Sequence, residues 1–543
     1  MAAKQPNLVE EGTQTEFEPE PEPELSFSVA ACATSSVWEN CIGLQQCKPA
    51  EWRCPDGLQP LVETINDARA KGKRVRAVGS GHAFSDVPRT DDAFLIRPKN
   101  LTKVQGTDAK MNIPSGIESL KPDADPASLF RTQSGITIKD LNSQLESRKL
   151  ALINMGAYDG QTIAGAFSTG THGSGAAFGP LASFVESIVL ATETGKVYQI
   201  EATNGITNPA KFPGHVPEAP GVPVELKQDD DWLNAVKVSM GCMGVIYSVT
   251  LRVQQQFSLE EWRELTTWEA VKPSFAPENF NPLPEPLATT DHYELLINPY
   301  VFPPNGPAIH TAIRVRRKRV ERTKRSGARK SFFGVILEAI GVSLSWLAVK
   351  FLNAFPWLSP RVINTALNSL VEAKPPYVDN SYKVFQLGID NRMKALALEL
   401  HFDARDLVAT IDALLAALGQ SAGDSWYLPG PIGIRFVAPS DALLAPESGR
   451  LTATAELDML FGTSSANDLL AAVKKNLVDK STLTGDRALR IHWGLDPLDS
   501  VTADDAKKWY PGLEKWKEVR AALNTTGMFD NKFTDRIGVS KGE

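Results

Sequence analysis

Histidine set among paired glycines is where this chain first shows the means to do chemistry. The stretch Gly79-Ser80-Gly81-His82-Ala83-Phe84-Ser85-Asp86 follows Arg74-Val75-Arg76-Ala77-Val78, a run with strand character. Glycines on both sides of a serine let the backbone turn sharply and come close to a ligand, and they present the histidine at the turn. Alone, the stretch is equally an ordinary strand-ending turn. A second glycine-rich stretch, Ala164-Gly165-Ala166-Phe167-Ser168-Thr169-Gly170-Thr171-His172-Gly173-Ser174-Gly175, lies further along. Two such loops point to one large phosphate-bearing cofactor held from two sides by backbone N–H groups. The spacing is not that of a dinucleotide fingerprint, since Gly79-x-Gly81 lacks a third glycine at the required offset, and no P-loop sequence occurs.

The elements that must position these loops are short strands mixed with few helices. The chain has 543 residues, 42% of them hydrophobic, enough for two domains with real cores. Its net charge of −7 argues against nucleic-acid binding. Residues 1–36 carry the acidic, proline-broken run Glu16 to Glu24, which predicts a disordered tail; no signal peptide is seen, so a cytoplasmic or peripheral membrane protein is expected. Helical spacing of apolar residues predicts helices over Leu58 to Ala70 and Ile138 to Lys149. Strands are expected at Phe94 to Ile96, Phe184 to Thr192 and Val245 to Val253. The pattern is α+β and not a regular βαβ series. Cys32, Cys41, Cys47 and Cys54 cluster without Cys-x-x-Cys pairing, so reduced thiols are the default, with one local disulfide left open.

The two glycine loops resemble the vanillyl-alcohol-oxidase (PCMH-type FAD-linked oxidase) superfamily, and within it the sugar-lactone (gulonolactone and arabinonolactone) and alditol oxidases. Three later stretches extend the resemblance: Ile434-Arg435-Phe436-Val437-Ala438 through Leu444-Ala445-Pro446, then His492-Trp493-Gly494, then Gly527-Met528-Phe529-Asp530-Asn531-Lys532-Phe533. It implies an α+β fold with a PCMH-type FAD-binding domain over 37–256, a substrate (cap) domain with an antiparallel sheet over 257–499, and a segment 500–543 returning to the first domain. It also implies FAD, joined covalently through His82, with dioxygen reduced to hydrogen peroxide and an alcohol or sugar lactone as substrate; the alternatives are a membrane-associated flavin dehydrogenase using another electron acceptor and a flavin-binding module that has lost catalysis. Cofactor contacts are expected from Gly79, Ser80, Gly81, His82, Ala83, Ser85, Gly156, Thr162, Gly165, Ser168, Thr169, Gly170, Thr171, Gly173, Gly175, Val245 and Asn531. His172 is expected among them, mainly in a loop-structuring role. Relatives keep a small residue near Gly156 that controls oxygen access, and glycine leaves space there.

The chain departs from its relatives where they oxidise polyols. Their Glu-x-Arg pair reads Gly433-Ile434-Arg435, and their His-Trp-Gly-Lys motif reads His492-Trp493-Gly494-Leu495. In the alternating strand Thr452 to Met459, Thr454, Glu456 and Asp458 share one face. We expect Arg435 and Glu456 to form the acid–base pair, with His492 nearby; the alternative is a solvated face or a structural ion pair. No metal is expected.

An insertion near 314–360 joins the basic run Arg314 to Lys330 to the apolar stretch Phe332 to Val349. A helix apolar on all sides is buried or lies in lipid. A buried cap helix, contact of 314–352 with an anionic membrane surface, and a short spanning segment are the three expectations.

Overall fold

The first glycine loop hangs from a small parallel sheet in the computed structural model, which describes residues 36–105, 119–302, 309–321, 325–340, 345–371, 376–386 and 394–541. Phe94–Ile96 lies between Glu51–Arg53 and Val75–Ala77. The helix Leu58–Ala70 turns Leu58, Leu61, Ile65 and Ala68 inward, and this stripe packs with Val75, Phe94 and Ile96. The chain leaves Val75–Ala77 straight into Gly79, so the loop sits where this sheet meets the next layer.

That layer is a mainly antiparallel sheet ordered Val224–Gln228, Val197–Glu201, Val185–Ala191, Val245–Gln255, Leu129–Gln133 and Val104–Gln105. Val245–Gln255 is its longest strand and also pairs with Leu150–Leu152. The helix expected to reach Lys149 ends at Glu146, and Lys149 then takes a left-handed turn at φ 60° into Leu150–Leu152.

Among the described residues a second sheet of eight antiparallel strands follows. Its order is Tyr377–Asn380, Ser258–Thr267, Thr311–Val320, His292–Ile297, Ile432–Val437, Thr452–Leu460, Ala395–Asp403 and Arg490–Ile491. The architecture is therefore α+β. The C-terminal segment packs back on the first loop's sheet: Val75 N–H donates to the Met528 carbonyl, and Arg76 Nη1 bonds the Phe529 carbonyl.

The structure corrects the expectations for the basic run and the apolar stretch and decides the disulfide left open. Within the basic run, of which 322–324 lie outside the described residues, Arg314, Arg316 and Arg317 are paired with carboxylates. Arg314 and Arg316 bond Glu264, and Arg317 is buried between Glu261 at 2.8 Å and Glu294 at 2.9 Å. Alternation along a strand, which the run's composition hides, brings these charges opposite acidic neighbours. The apolar stretch is two helices, Phe332–Ile340 and Ser345–Ala354, the residues between them lying outside the described ones. No described helix is long and apolar enough to cross a membrane. Cys54 is disulfide-bonded, whereas Cys41, Cys47 and Cys242 are free. The acidic tail, apart from Ser36, lies outside the described residues, as does Cys32.

Candidate active site

The two glycine loops meet. A Cβ on Gly79 would fall 2.0 Å from Thr162 Oγ1, so only glycine lets the first loop rest on the start of the second. Gly81 has φ +72°, and its carbonyl accepts from Cys41 N–H at 2.9 Å. Phe84 N–H donates to the Gly494 carbonyl at 2.8 Å, and Ser85 Oγ to the Trp493 carbonyl at 2.6 Å. The His492-Trp493-Gly494 motif is thus tied to the first loop by its backbone.

Between the loops and the second sheet runs a cavity of about 450 Å³. This lies in the range of roughly 300–1,000 Å³ typical of cofactor and ligand sites. Gly79 to Phe84, Gly156 to Tyr158, Thr162, Gly165, Ser168, Thr169, Thr171, His172 and Val245 all line it. The Ser134 hydroxyl, also on this wall, is buried without a hydrogen-bond partner among the described residues. Glycine-rich backbone and an orphaned Oγ suit a phosphate-bearing ligand. The His82 ring lies tilted against Tyr158, 4.4 Å between centroids, and burial depresses its imidazole to about 4, so it stands neutral, with a lone pair available.

Five expected contacts stand off this wall. Ser85 is spent on Trp493, as above. Gly170, at φ +89°, packs against Pro446, and Gly173 against Asn154. Gly175, at φ +113°, bridges to Val437 and joins the loop to the second sheet. Asn531 caps the helix Lys532–Arg536, and its amide bonds the Val87 and Arg89 carbonyls. These residues shape the loops; the lining residues face the ligand space. The second stretch is also part helix, Ile163–Ser168.

Arg435 and Glu456 come together on the sheet side of the cavity. Their strands pair with Gly433 opposite Glu456 and Arg435 opposite Thr454. Arg435 Nη2 lies 3.0 Å from Glu456 Oε2, and its Nε 3.7 Å from Glu294 Oε1. Only 16% of the Arg435 side chain is exposed. Asp458 lines the cavity beside Glu456. Burial pushes both carboxyls up; Arg435 works against this at Glu456, while the Glu456 charge adds to it at Asp458. Of the two carboxyls, Asp458 is therefore held further above its ordinary value. A smaller cavity of about 50 Å³ lies behind the pair, bounded by Gly433, Arg435, Glu456, Asp458, Glu294 and Arg317.

His492 lines the cavity as well. Its Nδ1 accepts from Gly494 N–H at 3.1 Å, and burial lowers its imidazole to about 4, so it is neutral. His172 is the opposite case. Burial alone would lower it, but the Glu399 carboxylate at 3.1 Å overrides this and holds it up at about 9.

Sequence reasoning missed Glu294, Glu399, His401, Glu447 and Tyr158. A signal existed for two of them: in Ala395-Leu396-Ala397-Leu398-Glu399-Leu400-His401-Phe402-Asp403, polar residues at every second position interrupt an apolar strand. The lysine that Leu495 replaces is not restored in place. Leu495 and Leu396 give that wall an apolar surface, and Lys394 lines the cavity from the start of the neighbouring strand.

Known proteins resemble this arrangement along almost the whole chain. The family described as FAD binding domain matches residues 49–201, and the family described as D-arabinono-1,4-lactone oxidase matches residues 249–537. L-gulono-1,4-lactone dehydrogenase of Mycobacterium tuberculosis is 27% identical over 503 residues, covering 93% of this chain and 99% of its own. L-gulonolactone oxidase of Bos taurus is 24% identical over 493 residues, covering 90% and 96%. The crystal structure of cholesterol oxidase from B. sterolicum covers 94% of this chain and all of its own with a TM-score of 0.66 at 13% identity, which shows a shared fold. With an FAD-binding domain first and the second match spanning 249–537 of its 543 residues, the chain belongs to the D-arabinono-1,4-lactone oxidase family.

Proposed function

We propose that the protein oxidises a hydroxyl of a sugar lactone, or of a less polar alcohol, to the carbonyl, with Glu456 as base and Arg435 as its charge partner. The observation that carries this is the 3.0 Å Arg435–Glu456 pair on the wall of the cavity that the glycine loops complete. The residues of the two glycine loops that line the cavity would hold FAD, which would supply hydride-accepting and oxygen-reducing chemistry there. The protein supplies the rest. Glu456 takes the hydroxyl proton, Arg435 stabilises the negative charge that develops on that oxygen, and Asp458 keeps its own proton and can bond the substrate. The apolar wall at Leu396 and Leu495 favours a lactone ring over an open polyol.

The carboxylate that relatives carry in Glu-x-Arg is displaced here by one strand. Gly433 stands directly opposite Glu456 in the pairing. A Cβ on Gly433 would meet Glu456 Cβ and Leu296 Cδ2 at 3.9 Å, ordinary contact, with the small cavity beside it. A glutamate at either position therefore reaches Arg435.

His82 is proposed as the covalent tether to the flavin ring, supported by its neutral imidazole on the cavity wall. Dioxygen is proposed as the acceptor on the strength of Gly156, where a Cβ would come 3.2 Å from Thr171 Cγ2 and 3.3 Å from the His172 carbonyl. Glycine keeps that space open.

Three outcomes check these assignments. Glu456→Gln should lower kcat by about 10²–10⁴ with lactone substrates, and Gly433→Glu added to it should recover a measurable part; no recovery, or no initial loss, removes Glu456 from the chemistry. Acid precipitation should leave the wild-type pellet yellow and should release the flavin from His82→Ala into the supernatant. In stopped-flow reoxidation, Gly156→Ala should slow reaction with dioxygen while turnover with a dye acceptor stays near wild type.

A further inference from the structure

In and behind the cavity wall lies a group of buried titratable side chains that the reaction above does not use. Four separate elements supply it: the second loop (His172), the strand Ala395–Asp403 (Glu399 and His401), the turn that carries Glu447, and the residue after Arg490–Ile491 (His492). His172 and Glu399 are each 2% exposed at the side chain, His401 and Glu447 not at all. Burying two carboxylates costs several kcal/mol each unless cations face them.

The contacts alternate between imidazole and carboxyl groups. His172 Nδ1 faces the Gly173 carbonyl at 2.8 Å, and Nε2 faces Glu399 Oε1 at 3.1 Å. The other Glu399 oxygen lies 3.3 Å from His401 Nε2, and His401 Nδ1 lies 3.3 Å from Glu447 Oε1. A carbonyl and a carboxylate can only accept, so both nitrogens of His172 must carry protons. The two approaches at His401 fall outside hydrogen-bond geometry, so there His401 is held in close contact with Glu399 and Glu447 without a hydrogen bond. His492 differs in kind: its Nδ1 accepts, which makes it a neutral neighbour, 6.2 Å from His172 ring to ring. The other charges that act on His172 are those of Glu447 and Arg435. His172 and Glu399 line the cavity, whereas His401 and Glu447 stand behind them.

We propose that Glu447, His401 and Glu399 form a fixed relay that holds a full imidazolium charge on His172 at the cavity wall, where it steadies the negative charge a bound flavin gains on reduction. This rests on the cavity being the seat of FAD. His172 is then an electrostatic positioning residue, distinct from the Arg435–Glu456 pair that handles the substrate proton. The loop-structuring role expected from sequence accounts for Nδ1 and its carbonyl; it leaves the Glu399 side of the ring without a purpose.

The test uses the flavin-loaded full-length protein and sulfite, which adds to oxidised flavin more tightly when a cation stands near the ring. FAD content is measured first. His172→Gln should keep its FAD, weaken sulfite binding at least about tenfold, and lower the flavin midpoint potential measured by dye equilibration. His172→Lys, which keeps a cation, should recover part of both. In Glu399→Gln the imidazolium loses its anchor. Its sulfite constant, taken as a ratio to wild type, should be near one at low pH and rise as pH passes through the ordinary imidazole range of about 6.5. Unchanged sulfite affinity and potential in flavin-loaded His172→Gln overturn the proposal. So does a stoichiometric divalent metal in the wild type that is lost in Glu447→Gln, because His172, His401 and Glu447 would then be its ligands. A wild type that binds no flavin overturns both this and the cofactor assignment, whereas loss of turnover alone in Glu456→Gln bears only on the latter's chemistry.

Discussion

A guanidinium buried among carboxylates is the constraint on which the second sheet depends. Arg435 cannot lose its charge, so its strand is held to neighbours that bring acids to it. Glu294 comes from the strand on one side and Glu456 from the strand on the other. The same logic runs outward. Glu294 also meets Arg317, Arg317 meets Glu261, and Glu261 takes Arg263 at 3.0 Å and Arg329 at 3.4 Å. Acid and base thus alternate across neighbouring strands, and a slip of one residue in any strand would turn its charge to the other face. Breaking one such buried pair costs about 3–5 kcal/mol, so register and charge order reinforce each other.

This ladder ends at the cavity, and that gives it a functional sense. Glu399 sits opposite Glu456 in the pairing, so the carboxylate that answers Arg435 and the carboxylate that answers His172 are cross-strand neighbours. Two like charges at adjacent sites are tolerable because each has its own cation. The glycine loops supply the facing wall, and their mutual contact at Gly79 and Thr162 keeps the wall close to the sheet. The bonds from the Phe84 N–H and the Ser85 hydroxyl to the Gly494 and Trp493 carbonyls then fix the distance between His82 and the His492 motif.

Much of the first domain was legible because its signals are local. Glycine needs no partner to be recognised as a tight turn, and the helix Leu58–Ala70 and strand Phe94–Ile96 follow directly from apolar spacing. Glu456 was also within reach, since alternation along Thr452–Leu460 put it on one face with Asp458. The pairing within the basic run is hidden for the converse reason: Arg314 and Arg316 meet Glu264 and Arg317 meets Glu261, some fifty residues earlier in sequence, which only strand pairing brings close. The histidine relay was hidden likewise. His172, Glu399, His401 and Glu447 come from three separate parts of the sequence, and no spacing rule connects them. Gly170, Gly173 and Gly175 show the limit of the motif itself, which marks a loop without saying which glycines face the ligand and which face the protein.

The central claim is that Glu456, paired to Arg435, takes the substrate proton. The rate of anaerobic flavin reduction by a lactone substrate, followed by absorbance as a function of pH, tests it most directly. Burial sets the Glu456 carboxyl above its ordinary value, so the base is available at high pH and is lost as pH falls through that raised value. The wild-type rate is expected to fall on the acid side along that limb, and Glu456→Gln to reduce flavin slowly at a rate with no such limb. A Glu456→Gln protein that keeps both the rate and the acid limb of the wild type would contradict the claim.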